Sequence, residues 1–199
     1  MERLWILVCI VVLGFTACKS KNDESTTPVT PSSSVLAFPG ADGGGKYVAG
    51  GRGTSIHVIY SLDDDPKDPQ PGTLRYALEK ANGPRVIVFN VAGRIDLDFP
   101  IEVKHGQITI LGQTAPGDGI CISGYPLKIY ADDVIIRFMR FRLGDLNKLE
   151  ADALSVMSGA KNIMIDHCSC SWSTDECLSI YGVKNATVQY CIVSESLNN

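Results

Sequence analysis

The sequence carries no surplus of positive charge: 18 Lys and Arg stand against 22 Asp and Glu, a formal net charge of −4. That balance excludes a nucleic-acid binder, or a binder of anionic membranes, that works by bulk charge. An acidic substrate is still open to it through local bases or a bridging cation. Apolar runs long enough to cross a bilayer are missing as well. The stretch from Leu4 to Phe15 is about a dozen residues, where a spanning helix needs about 20. A phosphate loop is missing too. Ala37-Phe-Pro-Gly-Ala-Asp-Gly-Gly-Gly-Lys46 and Gly50-Gly-Arg-Gly53 are dense in glycine, but they lack the Gly-Lys-Ser/Thr ending on a helix. They predict tight turns leading into a first strand at Ile56-His-Val-Ile-Tyr60. Zinc is disfavoured, because Cys168-Ser-Cys170 has neither the usual spacing nor a second knuckle.

What the chain does have is a repeat. Asp133-Val-Ile-Ile-Arg-Phe-Met-Arg-Phe141, Asn162-Ile-Met-Ile-Asp-His-Cys-Ser-Cys170 and Asn185-Ala-Thr-Val-Gln-Tyr-Cys-Ile-Val193 can be laid over one another. Each opens on Asp or Asn, continues with small or apolar residues at offsets one and three, and returns to apolar residues at offsets six and eight. The steps are 29 residues (162 minus 133) and 23 (185 minus 162), and a weaker copy begins at Gln107, 26 residues before Asp133. At that length one unit buries its apolar edge only by stacking on the next. The pattern predicts an all-β solenoid in which Met139, Phe141, Ile163, Ile165, Cys168, Cys170, Val188, Cys191 and Val193 share one core. Stacked loops of variable length on one side could form a groove for a linear polymer.

Seven cysteines are present. Cys9 lies in the leader and Cys18 directly follows it. Cys168 and Cys191 share offset six and are expected one above the other as buried thiols, with a disulfide between them as the alternative. The leader itself, residues 1–17, combines Arg3, the apolar run and Thr16-Ala17 before Cys18, which predicts a signal peptide of the bacterial lipoprotein type with Cys18 lipidated. Residues 18–35 are polar, rich in Ser, Thr and Pro, and read as a tether. An ordinary secretory signal cleaved nearby is the other reading.

Thr73 is placed to cap a short helix in which Leu74, Ala77, Leu78 and Ala81 fall at helical spacing and Gly83 stops it. A cap at that position suits a solenoid, whose open end exposes unpaired backbone groups. Val86-Ile-Val-Phe89, Ile95-Asp-Leu97 and Ile101-Glu-Val103 then begin the stack. Asp63-Asp-Asp65 reads as solvated loop, or less readily as a calcium site. Ser194-Glu-Ser-Leu-Asn-Asn199 follows a strand with no closing element, so residues 36–199 are expected to be the N-terminal part of a longer solenoid.

Acidic groups concentrate between Glu150 and Glu176. Glu150 and Asp152 stand at i and i+2, on one side of an extended strand, and Asp175-Glu176 follows one coil later. Adjacent rungs lie about 5 Å apart, so these carboxylates could converge on a calcium ion, which takes six to eight oxygens. The alternative is an acidic surface paired with Arg140 or Arg142.

Four separated motifs resemble one family in that family's order: Ala37-Phe-Pro-Gly-Ala-Asp-Gly-Gly-Gly-Lys46, Pro71-Gly-Thr-Leu-Arg-Tyr-Ala-Leu78, Gly112-Gln-Thr-Ala-Pro-Gly-Asp-Gly119 and Ile165-Asp-His-Cys-Ser-Cys-Ser-Trp172. They are similar to the pectate lyases of polysaccharide lyase family 1, notably secreted forms from Bacteroides-type bacteria. The resemblance implies a right-handed parallel β-helix with a short N-terminal capping helix, truncated at its C-terminal end, and a calcium-assisted groove. It implies calcium ligands at Glu150, Asp152 and Asp175, with Glu176 as a further candidate. Glu150 replaces the family's first Asp, and Ser179 stands where the family has a second late carboxylate. Asp166-His167 matches a structural pair. The reaction implied is β-elimination on polygalacturonate, and the arginine base and the lysine that grips uronate would lie beyond Asn199. Arg137, Arg140 and Arg142 do not match the catalytic motif and read as groove or salt-bridge residues.

The implied setting is a monomer with a pectin partner, secreted or held at the bacterial surface by its lipid anchor, with no nucleic acid. Two other activities are consistent with the same fold: a surface pectin-binding protein without catalysis, and a hydrolase using paired carboxylates.

Overall fold

The computed structural model describes residues 35–197; the leader, Cys18 and most of the tether lie outside them. Strand β1 (Ser55–Ile59) leads into five stacked coils. The first holds β2 (Arg85–Phe89), β3 (Gly93–Asp96) and β4 (Ile101–Val103), and the second β5 (Ile108–Leu111), β6 (Ile120–Ser123) and β7 (Leu127–Ile129). The third holds β8 (Val134–Arg137), β9 (Met139–Arg142) and β10 (Leu154–Val156). The fourth holds β11 (Lys161–Asp166), β12 (Ser169–Ser171) and β13 (Leu178–Ile180), and the fifth β14 (Lys184–Gln189) and β15 (Ile192–Ser194).

Each of the first four coils gives one strand to each of three sheets, and the fifth gives one to sheet A and one to sheet B. Sheet A runs β1-β2-β5-β8-β11-β14, sheet B β15-β12-β9-β6-β3 and sheet C β13-β10-β7-β4. Every neighbouring pair is parallel, with Ile136, Ile165 and Val188 in one register row and Phe141, Cys170 and Val193 in another. The fold is a parallel β-solenoid. The polar residue that opens each repeat has a backbone reason: Gln107, Asp133, Asn162 and Asn185 all sit at φ between 56° and 59°. Asn and Asp tolerate this left-handed conformation better than other side chains. Asn185 also donates its side-chain amide to Asn162 Oδ1 at 3.0 Å, tying successive corners together.

Of the nine expected core residues, Met139, Phe141, Ile163, Ile165, Cys168 and Cys170 are buried. Cys191 is only partly buried against that core, and Val188 and Val193 keep the inward register but are 39% and 49% exposed, because no further described rung covers them. The five described cysteines are free thiols. Cys168 N–H donates to Cys191 Sγ at 3.4 Å. The thiol of Cys168, sharing its proton with Cys191 and buried, is pushed up, while that contact holds Cys191 down to about 7.

The helix forms where the sequence places it, over residues 74–80, with Tyr76–Lys80 wound as a π-helix. Thr73 Oγ1 accepts from Tyr76 N–H at 3.3 Å, and Leu74, Ala77 and Leu78 join the main core. Arg85 satisfies its C-terminal end, donating to the carbonyls of Ala77 (2.6 Å), Leu78 (3.1 Å) and Gly83 (2.8 Å). The acidic run Asp63-Asp64-Asp65 is not a solvated loop throughout. The Asp64 side chain is buried and forms a two-pronged pair with Arg75 at 2.6 and 2.7 Å, while Asp65 accepts from the backbone of Lys67 and Asp68.

The glycine-dense segment does more than turn the chain. Residues 37–52 lie across the outer face of sheet A as a strap, with Ala41 and Val48 packed on Ile135 and Met164. A Cβ on Gly45 would overlap the Ile163 carbonyl, and one on Gly51 the Arg85 carbonyl. Only glycine lets the strap approach the sheet this closely.

Candidate functional site

Sheet C turns inward residues such as Leu154 and Val156 to the core and sets Glu102, Lys128, Ser155 and Ser179 in one outward column. The loops entering β10 and β13 rise beside that column. Leu154 pairs with Leu178, so Asp152 and Glu176, each two residues earlier, stand side by side. Their loops are tied together. Glu176 N–H donates to Asp152 Oδ1 (3.2 Å), Ala153 N–H to the Glu176 carbonyl (3.3 Å), and Asp175 N–H to the Ala151 carbonyl (3.3 Å). Thr174 Oγ1 bridges Leu149 O and Ala151 N–H across the same loops, and Ser155 Oγ donates to Asp152 Oδ2 at 2.7 Å.

The result is a carboxylate cluster: one oxygen from each of Asp152, Asp175 and Glu176 lies within 4.8 Å of the others. Asp152, followed by Asp175, pushes the Glu176 carboxyl above its usual range, because like charges so close favour a shared proton. Three of the four acidic residues singled out in the sequence are thus brought together. Glu150 stands outside the group, beside Lys148 and Thr174. Residues 149–152 are loop rather than strand, so the i, i+2 alternation of an extended chain does not apply to it. Ser179 pairs with Ser155 in the outward column and adds no charge. Lys128, in register with Ser155, is a cation on this face that the sequence did not single out; the alternation Leu127-Lys128-Ile129 is its only signal.

Asp166 and His167 are elsewhere. Asp166 lies on the outer face of sheet A under the strap, fully buried, paired with Arg137 Nε at 2.7 Å and His167 Nδ1 at 2.9 Å. Gln189 donates to Asp166 Oδ1 at 2.8 Å and to Gly40 O, and accepts from Asp42 N–H. Arg137 stacks 3.6 Å from the Phe38 ring centroid. This network anchors the strap and belongs to sheet A, whereas the carboxylate cluster stands beside sheet C.

No family model matches the chain. It is 41% identical over 168 residues to "Probable pectate lyase C" of Aspergillus flavus, covering 83% of this chain and 38% of that protein. It is 39% identical over 168 residues to the protein of the same name in Emericella nidulans, again covering 83% and 38%. "Putative pectate lyase 11" of Arabidopsis thaliana is 31% identical over 170 residues, covering 74% and 39%. Among solved structures, jun a 1, the major allergen from cedar pollen, matches with a TM-score of 0.60 and 26% identity, over 72% of this chain and 46% of that one. The chain spans little more than a third of the length of these curated relatives. Over the part of them that it spans, the chain is a homologue of the pectate lyases.

Proposed function

We propose that this chain is the N-terminal part of a calcium-dependent pectate lyase that cleaves polygalacturonate by β-elimination. The observation that carries the reading is the convergence of Asp152, Asp175 and Glu176 beside the outward column of sheet C. Their donor set fits calcium. All three are hard oxygen ligands, and at bond lengths of about 2.4 Å two oxygens on opposite sides of one ion stand about 4.8 Å apart, the spacing the cluster allows. A dication also relieves the repulsion that raises the Glu176 carboxyl. When bound, the ion supplies charge neutralisation at the uronate carboxylate, which makes the neighbouring carbon more acidic. Lys128 and Ser155 then position the polymer: the ammonium meets a second carboxylate one rung away, and Ser155 holds Asp152 in place.

The test is metal binding followed by product analysis. Asp152→Ala and Asp175→Ala are each expected to weaken terbium or calcium binding by at least about tenfold, about 1.4 kcal/mol. In the protein carrying this chain at its full length, both should suppress ultraviolet-absorbing product, with partial recovery in excess calcium. Metal binding indifferent to both substitutions sinks the site. Cleavage without ultraviolet-absorbing product points to a hydrolase, and binding without product to an adhesin.

The same proposal holds the protein at a bacterial surface by acyl chains on Cys18, each buried CH₂ contributing about 0.8 kcal/mol. Cys18→Ser is expected to move the protein from the membrane pellet to the soluble fraction. Unchanged sedimentation overturns the anchor.

A further inference from the structure

Sheet B presents a second surface, separate from the carboxylate cluster. Ile95, Ile122, Phe141 and Cys170 fill the core, so the alternating residues face out: Arg94, Cys121 and Arg140 in one register row, Asp96, Ser123 and Arg142 in the next. Arg94 is neutralised by Asp96 at 2.7 Å. Arg140 and Arg142 are not. Among the described residues no carboxylate lies within ion-pairing distance of either one. Arg140 Nε donates to Ile120 O at 3.5 Å, and Arg142 donates to Phe141 O (2.8 Å), Ser169 O (3.0 Å) and Ser169 Oγ (2.9 Å). Two part-buried guanidiniums, at i and i+2 on one face and so about 7 Å apart, are steadied by neutral oxygens with their charge uncompensated in a protein of net charge −4.

Beside them stands Trp172. Its indole is 48% exposed, its N–H is held by Glu195 Oε2 at 3.1 Å, and its ring centroid lies 5.7 Å from the Arg142 guanidinium carbon. The edge of the ring is fixed and much of its surface is open. A cleft of about 200 Å³ joins Arg94, Asp96, Cys121, Arg142, Leu146 and Trp172; the Asp96 carboxylate is engaged by Arg94 and Ser123, and Arg140 stands outside the cleft in the Cys121 row. The cleft is below the roughly 300–1,000 Å³ of an enclosed small-molecule pocket, a size suited to one ring of a chain that continues across the sheet. The planar guanidinium fork matches a carboxylate, and the electron-rich indole surface takes the C–H edges of a pyranose ring.

We propose that the outward face of sheet B is a second, calcium-independent binding site for an acidic saccharide, with a uronate carboxylate on Arg140 and Arg142 and its ring on Trp172. The choice of a uronate rests on the lyase reading; the cation and indole geometry does not. The test uses Trp172 as its own reporter. The sequence holds two tryptophans, Trp5 and Trp172; Trp5 leaves with the leader, and the Trp172 signal is read as the difference between the parent and Trp172→Phe. In chelator, trigalacturonate is expected to change its fluorescence saturably, and Arg140→Gln and Arg142→Gln should each raise the Kd at least about tenfold. Neutral galactotriose should leave the signal flat. No change with trigalacturonate, a Kd indifferent to both substitutions, or an equal response to polyglutamate each overturns the proposal, the last because the face would then read charge alone. The two sites separate cleanly. A chelator-resistant signal with no metal binding at Asp152 sinks only the calcium reading, and calcium-dependent elimination with a silent Trp172 sinks only the second site.

Discussion

Ile165→Asp is expected to leave the chain unfolded at room temperature. Ile165 is fully buried in the main core, on β11 between Ile136 of the coil below and Val188 of the coil above. An aspartate there gives up the apolar contacts and places a carboxylate with no partner in the interior. That costs several kcal/mol or forces the group to neutralise, against a total stability of about 5–15 kcal/mol. The coils of a solenoid support one another only through neighbours, so the damage spreads to the rungs on both sides. Circular dichroism should show loss of strand signal and of any cooperative melt. Ile165→Val, which removes one methylene, should cost about 1 kcal/mol and keep the melt. A cooperative Ile165→Asp transition within a few degrees of the parent would show that this rung is not part of the core.

Ile165 was legible in the sequence because sheet A strands are long enough to carry a pattern. β8 and β11, with the left-handed Asp133 just before the one and Asn162 at the second position of the other and the turn into sheet B after them, form a unit that recurs. Sheet C was not legible. Its strands are three residues each, Ile101–Val103, Leu127–Ile129, Leu154–Val156 and Leu178–Ile180, too short for alternation to rise above chance, and of these the sequence marks only Ile101-Glu-Val103 as a strand. The strap was missed for another reason. Its glycines signal close approach, but what they approach, Ile163 and Arg85, lies far along the chain. Asp64 likewise looks solvated beside Asp63 and Asp65, and only its pairing with Arg75 shows that its side chain is buried.

The candidate site divides in the same way. Asp152, Asp175 and Glu176 could be brought together from the step between coils, since residues one rung apart stack whatever the loop between them does. Glu150 is not placed by the same step, because i, i+2 alternation holds for an extended strand and residues 149–152 form a loop. Arg137, Arg140 and Arg142 looked alike in sequence. Arg137 faces Asp166 on sheet A, while the other two face outward from sheet B and form no ion pair among the described residues. That difference follows from the tight turn at Phe138, which carries the chain from one sheet to the next.

Asp166→Ala is expected to cost about 3 kcal/mol, the lower end for removing one partner of a buried pair, because Arg137 keeps some solvent contact. The loss should fall on the strap first. Asp166 holds Gln189, and Gln189 holds Gly40 and Asp42, so limited proteolysis should cut residues 37–52 of the variant well before the coils. A pH dependence follows from the same bonds. Burial alone would raise the Asp166 carboxyl, but hydrogen bonds from Gln189, His167 and Arg137 outweigh it and hold the group below its ordinary value of 3.8. A carboxyl depressed in the folded state contributes stability above its unfolded pKa and loses it as pH falls through the folded one. Asp166 should therefore contribute fully above about pH 5 and progressively less from about pH 4 downward. Urea midpoints taken at about pH 7 and about pH 3 should differ less in Asp166→Asn than in the parent, by the share this group contributes. Equal acid sensitivity in parent and variant, together with an unchanged cleavage pattern, would mean that the strap is held by its apolar contacts on Ile135 and Met164 alone.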